Sequence, residues 1–199
     1  MNHTIENCFW SSSAMQIVAL DISLTGTGIC STLSPTDFQI KSFATIKTSP
    51  KNGSLHDRFL LILQRMEEFG VFDPLQTSLV GIEDYAFGRC DRGILDRAEL
   101  RGIIRYELFK LKIPNILIAP QSMKKFVSGK GNTPKDLIPM WVAKKFATEL
   151  LSCGLELSDD NQADAVGLAA VTTAYHQWMS GLPTQKEHAE LFQKIRDRG

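Results

Sequence analysis

The stretch MQIVAL at 15–20 is mostly apolar and β-compatible, and an acid, Asp21, closes it. Gly26 and Gly28 follow in ISLTGTGIC and permit a tight turn or a close backbone approach. Residues 27–33 and 37–45 then read as two strands of a meander, separated by the turn signal SPTD. At 55–69 the period changes. Leu55, Phe59, Leu60, Ile62, Leu63 and Met66 recur at helical spacing and predict an amphipathic helix. Residues 79–83 form a second buried-strand pattern, again ending on an acid, Glu83. Residues 91–112 read as a long helix with an arginine-rich polar side, and 116–119 as a third buried strand stopped by Pro120. Thr133 as N-cap and Pro134 at the first helical position predict a helix running to about Leu151. A further helix is expected over 160–179 and a polar terminal one over 184–198.

A strand meander followed by alternating helices and strands predicts an α/β domain, with a mixed central β-sheet flanked by helices on both faces. In such sheets functional groups gather at strand carboxyl ends, where Asp21 and Glu83 fall. At 199 residues and 43% apolar, the chain has enough material for one buried core. The expected organisation is a flexible extension at 1–14, one domain at 15–182 and a helical tail at 183–199. No apolar run reaches the ~20 residues of a membrane span, so no membrane partner is expected. Cys8, Cys30, Cys90 and Cys153 lack paired spacing, which suggests a reduced, cytoplasmic protein.

The acids change the picture most. Asp21 and Glu83 each terminate a buried-strand pattern, while Asp160 and Asp164 open the apolar helix DDNQADAVGLAAVTTAY. An acid so placed costs free energy unless compensated, and a divalent cation is the usual compensation. Mg²⁺ favours carboxylate oxygens and retains several waters, so three or four acids suffice. Two such ions, about 4 Å apart, activate a water, orient a scissile phosphate and stabilise the leaving oxygen. The pattern therefore points to a metal-dependent phosphodiesterase. Asp21 would bridge the ions at its centre, with Glu83 ligating from the neighbouring strand. Asp160 and Asp164 stand at i,i+4 and share a helix face; Asp160 also reads as an N-cap. His3, His56, His176 and His188 show no ligand spacing.

Charge adds a partner. The 22 Lys and Arg balance the 22 Asp and Glu, so the total says nothing about nucleic acid. The distribution does: residues 89–135, beginning at Arg89, hold 11 basic residues against four acidic ones, a stripe suited to phosphate backbones. Within it, PQSMKKFVSGKGNTPK (120–135) arranges Lys124, Lys125, Lys130 and Lys135 around a Gly-Lys-Gly loop before a helix start. Glycines let backbone approach a phosphate, lysines neutralise it, and helix N-termini offer free N–H groups. Tyr85 and Phe87 follow Glu83 in EDYAFGR. Such rings either stack on an unpaired base, contributing about 1–3 kcal/mol each, or pack as core or sheet-edge aromatics.

Taken together, ALDISLTGTG, GIEDYAFG, APQSMKKFVSGKGNTPK and DDNQADAVGLA resemble the RuvC family of Holliday-junction resolvases, within the RNase H-like superfamily, and particularly its divergent phage and prophage members. The resemblance covers about residues 15–180. It implies an RNase H-like fold and a magnesium-dependent endonuclease with two ions per active site, for which Mn²⁺ can substitute. It further implies a homodimer that nicks opposite strands of a four-way DNA junction symmetrically, in a bacterial or phage-infected cell. Asp21, Glu83 and Asp164 match the family's ligands, and Lys124 or Lys125, then Lys130 and Lys135, match its DNA-holding basic loop. The family often carries another acid or a histidine three residues before the last aspartate. Here Asn161 stands there and Asp160 one residue earlier, so either serves as the fourth ligand. Likewise either Tyr85 or Phe87 takes the stacking role. The helix at 91–112 is the candidate dimer or DNA face.

Other readings stay in view. A general branched-DNA nuclease acting on flaps or forks uses the same site. DISLTGTG also resembles the phosphate-binding turn of sugar-kinase and actin-like ATPases, but those repeat the core in a second domain, for which 199 residues leave little room. A non-catalytic DNA-binding protein would keep the fold without needing acids at every motif position.

Overall fold

A computed structural model describes residues 15–85 and 92–196. Five strands form one mixed sheet: β1 (Gln16–Asp21), β2 (Gly26–Thr32), β3 (Ile40–Lys47), β4 (Thr77–Glu83) and β5 (Asn115–Ile118), in spatial order β3-β2-β1-β4-β5. The meander makes β1, β2 and β3 antiparallel neighbours, while β4 and β5 run parallel to β1. The parallel half requires crossovers, and helices supply them: α1 (Leu55–Glu68) precedes β4, and α2 (Arg92–Lys110) links β4 to β5. After β5 come α3 (Pro120–Ser128), α4 (Ile138–Lys145), α5 (Ala147–Cys153), α6 (Asp160–Met179) and α7 (Lys186–Arg196). The expected mixed sheet with helices on both faces is what the chain forms.

Strand alternation divides the core in two. Ile17, Ala19 and Leu79 face a layer containing α3, α4, α6 and α7. Val18, Leu20, Val80 and Ile82 face α1 and α2. By the same alternation Asp21 and Glu83 project toward α6, whereas Asp84 falls on the α2 side. Helix α6 is buried almost all round from Ala163 to Thr173, which is why its sequence there is small and apolar. Helix α7 adds Leu191, Phe192 and Ile195 to that layer. Among the described residues, no helix is long and apolar enough to cross a membrane.

Three local expectations are corrected. The helix expected from Thr133 to Leu151 is a 3-10 turn, Lys135–Leu137, followed by two short helices that break at Phe146. Phe146 is buried in the core and its backbone has left the helical region (φ −116°, ψ 31°), so packing overrides the helical pattern. Thr133 is not a cap. Its buried hydroxyl donates to the Lys130 carbonyl at 2.8 Å and lies 2.6 Å from the Ser128 hydroxyl, closing the glycine loop. Residues 120–128, whose sequence reads as basic loop, form α3, with Pro120 at its first turn and left-handed Gly129 (φ 82°) at its end.

Candidate active site

Asp21 and Glu83 are the last residues of β1 and β4. These strands are adjacent and parallel with Leu20 opposite Ile82, so the two acids come side by side. Asp164 reaches them from one turn inside α6. Its approach depends on Gly28, which pairs with Asp21 across the β1–β2 ladder. A Cβ on Gly28 would stand 2.1 Å from the Asn161 backbone oxygen and 3.2 Å from the Ala165 Cβ. Gly81 on β4 likewise lets Thr172 come close, its would-be Cβ lying 1.9 Å from the Thr172 Oγ1. Glycine at both crossings lets α6 lie directly on the sheet.

The start of α6 is pinned by Asp159 rather than Asp160. The Asp159 carboxylate accepts from the Gln162 amide at 3.1 Å and the Thr45 hydroxyl at 2.6 Å, and pairs with Lys47 at 3.5 Å. Asp160 stays exposed in the first turn, with its charge adding to the shift on Asp164. Asn161 is half-buried, its amide nitrogen 2.9 Å from where a Gly26 Cβ would stand.

Burial and mutual repulsion dominate the electrostatics. Asp21 is 7% exposed and Asp164 5%. Burial pushes Glu83 up to about 8, with the charges of Asp21 and Asp164 adding to it. Burial, then the charge of Asp21, pushes Asp164 up to about 6. Asp21 is also raised by burial, against a side-chain hydrogen bond with Glu83 and the cations Lys135, Arg97 and Arg101. The interaction between the two acids lowers Asp21 and raises Glu83. Lys135 Nζ pairs with the Asp164 carboxylate at 3.4 Å. Burial pulls Lys135 down, but the charges of Asp164 and Asp21 outweigh it and its pKa is raised.

These shifts fix a pH dependence. Both carboxyls bind protons more tightly in the folded than in the unfolded chain. Their contribution to stability is therefore complete below the ordinary values of 3.8 and 4.5 and is lost as pH rises through about 6 and about 8. In EDTA, melting temperatures of the wild type should fall relative to Glu83→Gln between about pH 4.5 and 8. A difference that stays flat or rises over that window contradicts the assignment.

Among the described residues, no three His, Cys, Asp or Glu side chains surround a common point at ligating distance. The donor chemistry nonetheless suits a hard divalent cation. Asp21, Glu83 and Asp164 offer only carboxylate oxygens, and their raised pKa values mark negative charge that lacks full compensation.

The remaining expected residues fall in different places. Lys124 Nζ donates to the Thr133 carbonyl at 2.9 Å and braces the glycine loop, while Lys125 and Lys130 are exposed beside it. Tyr85 is half-buried, with its ring against the Arg101 guanidinium. Phe87 and Arg89 lie outside the described residues. Sequence reasoning missed Arg97 and Arg101, whose charges act on Asp21 from α2, opposite Lys135. Their i,i+4 spacing on the helix after Glu83 was the available signal.

The family model described as "Crossover junction endodeoxyribonuclease RuvC" matches residues 17–172. A crossover junction endodeoxyribonuclease RuvC from Carboxydothermus hydrogenoformans is 25% identical over 130 residues, covering 65% of this chain and 77% of its own. The Thermus thermophilus RuvC structure superposes with a TM-score of 0.63 at 20% identity, over 84% of this chain and 97% of that one. T. thermophilus RuvC in complex with a Holliday junction substrate gives 0.63 at 18%, over 84% and 96%. The yeast mitochondrial Holliday junction resolvase Ydc2 gives 0.55 at 12%, over 94% and 83%. At these identities the structures speak for the fold alone. The matched span includes Asp21, Glu83 and Asp164 and takes in most of the chain, which belongs to the RuvC family of crossover junction endodeoxyribonucleases.

Proposed function

We propose that this protein resolves four-way (Holliday) junctions as a Mg²⁺-dependent endonuclease, nicking two strands symmetrically as a homodimer. The observation that carries this is the meeting of Asp21, Glu83 and Asp164 at the carboxyl ends of two adjacent parallel strands, in a RuvC-family chain.

Asp21, Glu83 and Asp164 would hold the metal, with Asp160 or Asn161 as a fourth ligand. Two bound Mg²⁺ ions, or Mn²⁺ in their place, supply an activated water and charge stabilisation for the leaving oxygen. The protein's own contribution begins with ionisation: a bound cation would favour the charged forms of Asp21, Glu83 and Asp164, so that the cluster presents three carboxylates. Lys135, two-thirds exposed at its side chain, lies over Asp164 and is placed to neutralise the phosphate entering beside it. The buried walls on either side, α6 and the β1–β4 strand ends, keep bulk water from screening these charges.

Exposed Lys125 and Lys130 would extend the DNA-holding basic surface, with Tyr85, two residues beyond Glu83, as its aromatic. Replacing Lys130 with Ala should weaken junction binding and reduce the slope of log K against log salt by about 1, because one phosphate contact is lost. Titration at several salt concentrations measures this; an unchanged slope removes Lys130 from the interface.

Paired nicks require two sites. The outward face of α2 exposes Leu95, Tyr106 and Phe109, with open space over Gly102. We assign this face to the second copy of the chain, since an apolar helix stripe interrupted by a glycine permits close helix approach. Cys30 and Cys153 are free thiols, consistent with the reducing cytoplasm of a bacterial or phage-infected cell. The test is cleavage of a labelled synthetic four-way junction, with flap, fork and linear duplex controls, in Mg²⁺ and in EDTA. Cutting confined to the junction supports resolution. Equal cutting of flaps and forks replaces it with general branch cleavage, and no cutting at all ends the enzymatic reading.

A further inference from the structure

Two arginines are buried among the described residues, and their surroundings differ. Arg58 is satisfied: its Nε donates to the Thr48 hydroxyl and its Nη2 to the Leu24 carbonyl, both at 3.0 Å. Arg101 is 5% exposed, yet among the described residues its Nε and Nη1 have no hydrogen-bond partner. Its guanidinium instead lies 3.6 Å over the Tyr85 ring, with Nη1 3.6 Å from the Asp84 carboxylate. Buried polar groups are normally paired, so an arrangement like this calls for a reason. Stability is a poor one, because apolar residues of similar volume often replace buried charges at no loss.

Position suggests another. Glu83 is the last residue of β4, and among the described residues Asp84 and Tyr85 continue the chain from it. The Asp84 amide makes one more ladder bond, to the Ile118 carbonyl at 2.8 Å, before the chain leaves the sheet. Asp84 and Tyr85 then meet Arg101, which comes from the α2 side while Glu83 points toward α6. A planar guanidinium can stack on a ring and face a carboxylate at once, which an ammonium cannot do.

We propose that Arg101 is a positioning residue for strand cleavage, holding Asp84 and Tyr85 from behind the sheet so that Glu83 and the Tyr85 ring meet the branched substrate in fixed geometry. This inference rests on the nuclease reading above. Arg101 touches no reacting atom; beyond its charge on Asp21, it acts through the two residues that continue from Glu83.

The test is Arg101→Met, which keeps length and volume and removes charge and stacking. Its melting temperature should equal or exceed that of the wild type, while kcat for junction cleavage falls about 10- to 100-fold with little change in KM. Arg101→Lys should recover only part of the rate. Combining Arg101→Met with Tyr85→Ala should cost no more than the worse single change, because both act on one unit. Wild-type kcat in Arg101→Met overturns the proposal, and so does a loss of kcat matched by a fall in melting temperature. Strict additivity of the pair also overturns it. Glu83→Gln, measured alongside, separates the two readings. If the wild type cuts, Glu83→Gln does not and Arg101→Met does, only the role of Arg101 fails. If the wild type does not cut, both readings fail.

Discussion

Asp21→Asn should lose junction cleavage by on the order of 10³-fold or more, equivalent to about 4 kcal/mol of transition-state stabilisation, while still binding the junction. The asymmetry comes from the site. Asp21 is the central acid: it hydrogen-bonds Glu83, its charge raises Asp164, and Lys135, Arg97 and Arg101 all act on it. Asn keeps the shape and one acceptor oxygen but removes the charge that would hold a divalent ion. The fold should survive, because an unpaired buried carboxylate is a cost to the folded state rather than a support. Binding should survive because the basic residues around the site belong to other elements, the α3–α4 connection and α2. Parallel gel-shift and cleavage assays on one labelled junction check both halves. Wild-type cutting by Asp21→Asn removes the acid cluster from the chemistry.

Gly28→Ala should be as damaging by a different route. The added Cβ would come within 2.1 Å of the Asn161 carbonyl oxygen, a backbone atom that cannot rotate aside. Either β2 or the first turn of α6 must move. The cost of such overpacking is about 3 kcal/mol, the upper end of the usual range. Thermal melts should show the loss of stability, and cleavage should fall even at temperatures where the variant stays folded, since displacing the first turn of α6 withdraws Asp164 from Asp21. A Gly28→Ala protein with wild-type melting and cutting would mean that α6 does not lie directly on the sheet.

Much of the fold is legible in the chain because two periods carry it. MQIVALD and SLVGIE are buried-strand runs whose closing acids, Asp21 and Glu83, fall at strand carboxyl ends, and the helical spacing of 55–69 leaves little choice for α1. Where the pattern misleads, the deciding physics is tertiary. Pro120 reads as the end of a strand, although it is equally a helix first-turn residue, and left-handed Gly129 closes that helix. Phe146 fits a helical pattern, but the core pulls it out of one. In the Asp159–Asp160 pair the cap falls on the first aspartate, because Thr45 and Lys47 of β3 meet it there. Lys135 is legible as a cation but not as the partner of Asp164, since that contact depends on a turn folding back over α6. Arg101 is legible only as a cation spaced i,i+4 from Arg97; its burial depends on how α2 is rotated against the sheet.

Symmetric resolution by paired sites is tested most directly with a supercoiled plasmid that extrudes a cruciform, incubated with the protein in Mg²⁺ and sampled through time. Two active sites acting within one encounter should convert supercoiled circles straight to linear product, with cuts at matching positions on opposite strands across the junction and none in EDTA. Accumulation of nicked circles without linear product, or cuts scattered away from the cruciform, would contradict a resolvase.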